Sequence, residues 1–443
     1  MKKLLSLILI IAACVSMLTA CNLINSAEGL WTMALIKMGS LSSYRQDSSI
    51  DASFSSSYGK ISLDESDYLI ISGTSKNPYY YSYSEFSTAI DNETVQYSKS
   101  LTAYSNGKMY VYEDSDYASS HLSSEMSASD FKRYINSYSS GGFNYAIDDF
   151  SDVGFTNESY GYLLYLYDAS DELVNDFINF FGIGGLVSNV DDLTITARID
   201  KSYRILDIEM NLVWKNNTSN YFTAKTSYSE FGSPTTRAIY DEDYTEVDDV
   251  SIVRLLSMRQ SDVINAESAE FTVNMSDEVV NLSTSEKSTY TENDSASFEY
   301  TDKGFVYDVI LRTDSGTYNI SYKRGTQTVT SGINSQSASQ SESEAIAFVE
   351  SLISAIGFDS AWVQDVELLD TGAYRFTCDS KTAEPYEYWL EELEDTHVSH
   401  SEYITVEFDD DGEIKSVERV VTVTGTKYKR TVKATLTFTS IER

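Results

Sequence analysis

The chain has 443 residues, with 32 Lys+Arg against 68 Asp+Glu and a formal net charge of −36. That field repels nucleic acid and anionic lipid headgroups, so neither nucleic-acid binding nor electrostatic attachment to a membrane is expected, and cationic partners are favoured. The length allows one to three domains with real cores, and 34 tyrosines against three prolines favour pleated strands.

Lys2 and Lys3 precede an uncharged apolar run over residues 4–17. This run is too short for a bilayer that needs ~20 residues, and it suits an export signal. "LTAC" ending at Cys21 and "IAAC" ending at Cys14 both resemble the lipobox of bacterial lipoproteins. Processing at Cys14 would leave only about half of the apolar core, so Cys21 is the better acceptor. The resemblance implies that residues 1–20 are a lipoprotein signal peptide, that the Cys21 thiol carries diacylglyceryl, and that residues 21–26 form a lipidated tether. Two or three acyl chains at ~0.8 kcal/mol per buried CH₂ give a lasting anchor. Cys378 is then the one thiol of the folded part, so no intramolecular disulfide is expected.

Strand patterns dominate the rest of the chain. "IDASF" sets Ile50, Ala52 and Phe54 on one face, and "NPYYYSYSEF" (77–86) and "YGYLLYLYD" (160–168) carry rings on both faces. Asn106-Gly107 marks a hairpin turn. Further alternations run through Leu193/Ile195/Ala197/Ile199, Leu206/Ile208/Met210/Leu212/Trp214, Ala269/Phe271/Val273/Met275, Ile404/Val406/Phe408 and Val432/Ala434/Leu436/Phe438. Period-two patterning with polar opposite faces predicts antiparallel sheets with one packed side. Helices are few. One capped by Ser129 carries Phe131 and Tyr134, and one capped by Ser170 carries Phe177 and Phe181 before Gly182. A third opens with a Ser341/Glu344 capping box and stops at Gly357, and a fourth carries Tyr386, Trp389, Leu390 and Leu393.

The order repeats. Six elements of matching type recur at a nearly constant offset of roughly 210 residues, which predicts a duplicated domain. The expected division is 27–239 and 251–443. Between them "YDEDYTEVDDV" (240–250) reads as a solvated acidic linker, and the Ser-rich stretch 331–344 reads as a flexible loop within the second domain.

Each half opens with an apolar helical stretch and a strand, "LWTMALIKMGSLSSYRQDSSIDASF" and "SIVRLLSMRQSDVINAESAEFTVNM", and the first continues with "YSKSLTAYSNGKMYVYED". Helix, strand, hairpins, central helix and closing meander resemble the LolA/LolB and LppX-like group of bacterial envelope lipoproteins and carriers. The resemblance implies an α+β fold of two tandem domains. Each would be a curved antiparallel sheet, an unclosed half-barrel, with helices covering the concave face. It also implies carriage of acyl chains or of a lipidated partner. No binding residue of that group transfers position by position, and the duplication and acidity depart from its single-domain members.

Candidate chemistry is sparse. "HVSH" places His397 and His400 three apart with Cys378 upstream, and His121 stands alone. Zinc needs three or four ligands, and a nucleophilic thiolate needs an electropositive pocket, whereas Cys378 sits in a predicted strand. "FDDDGEI" (408–414) lacks the ligand spacing of a calcium loop and reads as a hairpin turn. No phosphate loop or nucleophile elbow is present. Neither metal nor cofactor is expected, and no enzymatic activity. The aromatic faces supply the candidate ligand-lining residues Tyr79, Tyr81, Tyr83, Tyr160, Tyr162, Phe177, Phe181 and Trp389. The reading is a lipid-anchored extracytoplasmic protein that binds a lipid or other hydrophobic ligand. The alternative is a surface scaffold or sensor that binds envelope proteins; an enzyme ranks third.

Overall fold

A computed structural model describes residues 26–442 apart from 57–58, 75, 139–142, 144, 185–186, 188, 216–218, 254, 257–262, 264–265, 302, 314–315, 355–358 and 410–411. Cys21, the signal segment and Gly357 lie outside the described residues. The chain divides into two compact units, the first holding Met126–Ile239 with the chain up to Met109, the second Tyr110–Glu125 with Tyr240–Arg443.

In chain order the elements begin with α1 (Ala27–Gly39), β1 (Tyr44–Ser56), β2 (Gly59–Gly73), β3 (Pro78–Ile90), β4 (Glu93–Ser105), β5 (Lys108–Ser115) and β6 (Ser119–Glu125). They continue with α2 (Ala128–Tyr138), β7 (Phe150–Asn157), β8 (Gly161–Ala169), α3 (Asp171–Phe180), β9 (Val190–Asp200), β10 (Ile205–Trp214) and β11 (Tyr221–Ser229). After β12 (Thr245–Glu246) come β13 (Ser268–Asn281), β14 (Lys287–Thr301), β15 (Gly304–Thr313), β16 (Gly316–Lys323), β17 (Thr326–Ser331), β18 (Asn334–Ser339) and α4 (Glu342–Ser354). The chain closes with β19 (Val363–Leu368), β20 (Tyr374–Cys378), α5 (Glu384–Glu391), β21 (His397–Phe408), β22 (Ile414–Gly425) and β23 (Tyr428–Glu442).

Both units are built mainly from strands in open antiparallel sheets, with few helices. Strand order in the first unit is β4-β3-β2-β1-β11-β10-β9-β8-β7. The eleven-stranded sheet of the second runs β18-β17-β16-β15-β14-β13-β23-β22-β21-β20-β19. From β16 to β19 it reproduces the first order element for element. Each unit therefore pairs its first long strand with its last.

Local signals set the ends of these elements. Asn106 and Gly107 both take positive φ, 55° and 84°, as a type I′ turn demands. The Ser170 hydroxyl accepts the Leu173 N–H at 3.2 Å, and Ser341 and Glu344 form their reciprocal box. At α2 the cap is Ser127, which accepts the Asp130 N–H at 3.1 Å, in place of the expected Ser129. One loop expectation is corrected. Residues 331–344 contain strand β18, whose hydroxyls bond across to β17 (Thr328 to Ser337, 2.9 Å; Thr330 to Ser335, 3.2 Å), so serine density here serves a hydrogen-bonded edge. Residues 240–250 are mostly exposed, although Thr245 pairs with Leu122 of β6, Val247 N–H donates to Ser123 O at 2.8 Å, and Val250 is fully buried. Two valines among the carboxylates outweigh the local charge once each has a sheet to sit on.

The first core lies where Leu30, Trp31 and Ala34 of α1 and Leu173, Val174 and Phe177 of α3 meet Ala52, Phe54, Leu193, Ile195, Leu212 and Phe222 of the sheet. In the second unit Tyr386 and Leu390 of α5 pack on Val421 and Val423. Phe177 has no solvent exposure and meets the rings of Phe143, Phe181 and Phe222 at 4.6–5.3 Å. Phe177→Ala should cost about 3–5 kcal/mol, read as a lower urea midpoint for the first unit.

Candidate functional site

Cross-strand partners share a face of the sheet, so the register locates every side chain near the helices. One row crosses the first unit as Glu65–Ile50–Ala224–Met210–Ile195, and the next as Asp67–Ser48–Thr226–Ile208–Ala197. A third holds Leu69, Gln46 and Tyr228. On the same face, Ala52, Phe54, Leu212 and Phe222 form the packed end of the core. Beyond them the packing stops and a hollow of about 730 Å³ opens. Trp31, Leu35 and Met38 of α1, Phe143 and Tyr145, and Phe180 and Phe181 at the end of α3 line its other sides. Tyr145 stacks between Trp31 and Phe143, with ring centroids 5.9 and 6.0 Å away.

Polar groups gather on the sheet side of this apolar space. Gln46 donates to Ser48 at 3.2 Å, and Ser48 bonds Thr226 at 3.1 Å. Glu65 and Asp67 sit two residues apart on β2 and both line the hollow. Burial, then the charge of Asp67 and a hydrogen bond given to it, push the Glu65 carboxyl up to about 7. Burial also raises Asp67, against the lowering effect of hydrogen bonds from Ser84 and Glu65. The pair thus shares a proton near neutral pH, carried on Glu65. One Asp67 oxygen, Oδ1, and the Tyr145 hydroxyl are buried with no hydrogen-bond partner among the described residues. Lys225 also borders the space, but its ammonium bonds Glu209 at 3.3 Å on the opposite face.

The second unit repeats these rows. Glu292–Met275–Ala434–Arg419 and Asp294–Val273–Leu436–Val417 occupy the equivalent strands, so Glu65-x-Asp67 of β2 has its counterpart in Glu292-x-Asp294 of β14. Arg419 stands where the first unit has Met210, and its guanidinium donates to the buried Glu402 at 2.8 Å. Tyr386 also donates to Glu402, at 3.1 Å. Around them His397 Nε2 and His400 Nδ1 are 3.0 Å apart, His400 Nε2 lies 2.7 Å from Asp379, and the His400 and Tyr386 rings stack at 3.7 Å. A smaller space of about 320 Å³ adjoins Cys378, Glu402 and Arg419. Burial and then the charge of Glu402 push the Cys378 thiol far up, so it stays neutral and is a poor nucleophile. Among the described residues no three His, Cys, Asp or Glu side chains are grouped to hold a metal.

The aromatics singled out by sequence are dispersed. Phe181 lines the large hollow, and Phe177 fills the core behind it. Tyr81 and Tyr83 pair with Ile70 and Tyr68 and occupy the opposite sheet face, where Tyr81 stacks on Tyr68 and the tilted Tyr83 ring contacts it, both within 5.5 Å. Tyr79 exchanges hydrogen bonds with the Arg237 backbone. Tyr162 stacks on Tyr203, Tyr160 lies under Arg198, and Trp389 lies under Arg430 in the second unit. His121 contacts the rings of Tyr112 and Tyr244. Sequence reasoning missed Trp31, Tyr145, Tyr228, Glu65 and Asp67. The repeated "ESD" and "END" triplets in equivalent strands were the available signal.

No family model and no curated protein matches the chain. Solved structures similar to it include a putative outer membrane protein from Bacteroides fragilis, 8% identical over 89% of this chain and 97% of that one, with a TM-score of 0.17. Transferrin binding protein B from Neisseria meningitidis is 8% identical over 90% of this chain and 77% of that one, with a TM-score of 0.15. A porin-like protein from Bacteroides uniformis is 8% identical over 91% and 98%, with a TM-score of 0.12. Likeness at these TM-scores bears on neither the fold nor the role of this chain. No helix among the described residues is long and apolar enough to cross a membrane.

Glu65 holds its proton more tightly when folded than in the unfolded chain, where an ordinary value near 4.5 applies. Its contribution to stability is therefore present below that pH and lost as the pH rises through about 7. Glu65→Gln mimics the protonated form. It should stabilise the protein at pH 8 by roughly 1 kcal/mol, discounted for partial exposure, and leave pH 4 unchanged. Urea midpoints at the two pH values measure this.

Proposed function

We propose that the protein is a lipoprotein of the bacterial envelope, tethered through Cys21, that carries a lipid or other hydrophobic molecule in the hollow of its first unit. The observation that supports this most directly is the space itself. A cavity of about 730 Å³ walled by Trp31, Phe143, Tyr145, Phe180 and Phe181 falls within the ~300–1,000 Å³ typical of small-ligand sites. Burying ligand surface there at ~25 cal/mol per Å² supplies the affinity, and the Gln46–Ser48–Thr226 strip and the Glu65/Asp67 pair orient a polar end. The half-barrel architecture of the LolA/LolB and LppX-like group belongs to the same proposal, as does the extracytoplasmic location implied by the lipobox. A scaffold that binds only proteins would have filled interiors, and the open hollow favours carriage over that alternative.

Two experiments test the reading. Protein purified from cells and extracted with organic solvent should release a hydrophobic molecule, and Ala224→Trp, which fills the hollow from the sheet side, should lower its yield at least tenfold while the circular dichroism stays unchanged. Absence of any bound lipid, together with no binding across fatty acids, amines and alcohols, would overturn the proposal. Separately, Cys21→Ser should move the protein from the membrane to the soluble fraction.

A further inference from the structure

The polar wall of the hollow, on the carrier reading from which this inference starts, points to a ligand class. Two carboxyl groups, Glu65 and Asp67, face an apolar space whose other walls are largely aromatic. Among the described residues lining it, no cation faces them. α1 contributes only Trp31, Leu35 and Met38, the end of α3 only Phe180 and Phe181, and β10 only Ile205, Ile208 and Met210. Lys225 of β11 turns its ammonium to the other face, onto Glu209, and Arg45 of β1 pairs there with Asp47. The remaining titratable groups are the phenols of Tyr145 and Tyr228, which burial raises, and neither supplies positive charge.

Two polar groups are left without a partner, one a carboxylate acceptor and one a phenol that can both donate and accept. Asp67 and Tyr145, set on different segments of the chain, both line the hollow, and Asp67 Oδ1 and the Tyr145 hydroxyl are buried beside it and lack any hydrogen bond among the described residues. A buried oxygen of this kind is costly unless a donor arrives. The second unit differs at this face: at the position equivalent to Met210 it carries Arg419, whose guanidinium donates to the buried carboxylate of Glu402. The first unit has the acidic pair and no cation at the equivalent position.

We infer that the hollow binds an amphiphile whose polar end is an ammonium group, its apolar chain lying against Trp31, Phe143 and Phe181 and its N–H donors meeting Glu65, Asp67 and the Tyr145 hydroxyl. The indole and phenol faces of Trp31 and Tyr145 add attraction for a cation. Charge-assisted hydrogen bonds are the strong kind, so charge rather than chain length alone sets selectivity. An ammonium that enters displaces the proton held on Glu65, so binding tightens as the pH rises from 6 to 8 while the ligand itself stays charged.

Isothermal titration of the purified protein with decylammonium chloride, decanol and sodium decanoate, below their aggregation limits, tests this. Decylammonium should bind at least tenfold more tightly than decanol, and decanoate more weakly than either. Glu65→Gln combined with Asp67→Asn should abolish the preference for decylammonium over decanol, the two then binding within about twofold of each other. Equal binding of all three in the unaltered protein would overturn the ammonium assignment and leave the carrier reading standing, as would a preference that survives the double substitution. Binding of none of the three would remove both.

Discussion

The pairing of the first long strand of each unit with its last is the constraint on which the rest depends. Ile50 of β1 meets Ala224 of β11, and Met275 of β13 meets Ala434 of β23. Everything between those strands is laid out to either side of that seam. One flank is a run of hairpins (β2, β3, β4), and the other is the meander β10-β9-β8-β7, which α2 precedes in the chain and α3 interrupts between β8 and β9. The seam also fixes which side chains reach the helices, since a one-residue slip would turn Glu65, Ile50 and Ala224 outward and bring Lys225 and Glu209 in. The ligand-sized space and the acidic pair are thus products of register rather than of any single loop.

Two copies of one topology have taken different routes with the same face. In the first, α1 and α3 cover only part of the sheet, and Met210, Ile208 and Ala224 are left bordering open volume. In the second, the corresponding position carries Arg419, locked to Glu402 and beside Tyr386. A buried charge is tolerated only with its counter-charge in place, so this arginine commits its surroundings to a polar interior. The Glu-x-Asp pair survives in both, but Asp294 is satisfied by the Arg312 backbone N–H at 2.9 Å, whereas Asp67 keeps one oxygen without a bond.

Much of the layout was legible because it rests on local chemistry. Period-two alternation at Leu193/Ile195/Ala197/Ile199, the Asn106-Gly107 turn and the Ser170 and Ser341 caps each involve residues close together in sequence, and all four appear as read. The repeat was visible for the same reason. What local pattern could not reveal was the face. Tyr81 and Tyr83 look as suited to a cavity as Phe181 does, and only the pairing of Tyr83 with Tyr68 across β2 places them on the far side. The site itself is assembled from α1, β1, β2, the segment around Tyr145, and β10 and β11, which are remote in sequence, so its carboxyls read as ordinary surface acids. In the segment 240–250 charge density marked the exposed positions but gave no sign that Val247 and Val250 are buried.

The serine-rich strand β18 has a consequence for crowding. It ends the sheet of the second unit, every residue from Asn334 to Ser339 is exposed, and Ile333 at the hairpin tip is fully exposed. An open edge is usually an invitation to polymerise, because a passing chain can extend the ladder and bury apolar groups as it does so. Here the ladder can be extended, but apart from Ala338 the strand offers only serine, asparagine and glutamine to bury, and any approaching copy carries the same large negative charge. Lateral stacking would exchange hydrated amides for paired ones at little net gain. Such an edge lets many copies crowd one surface and remain separate molecules.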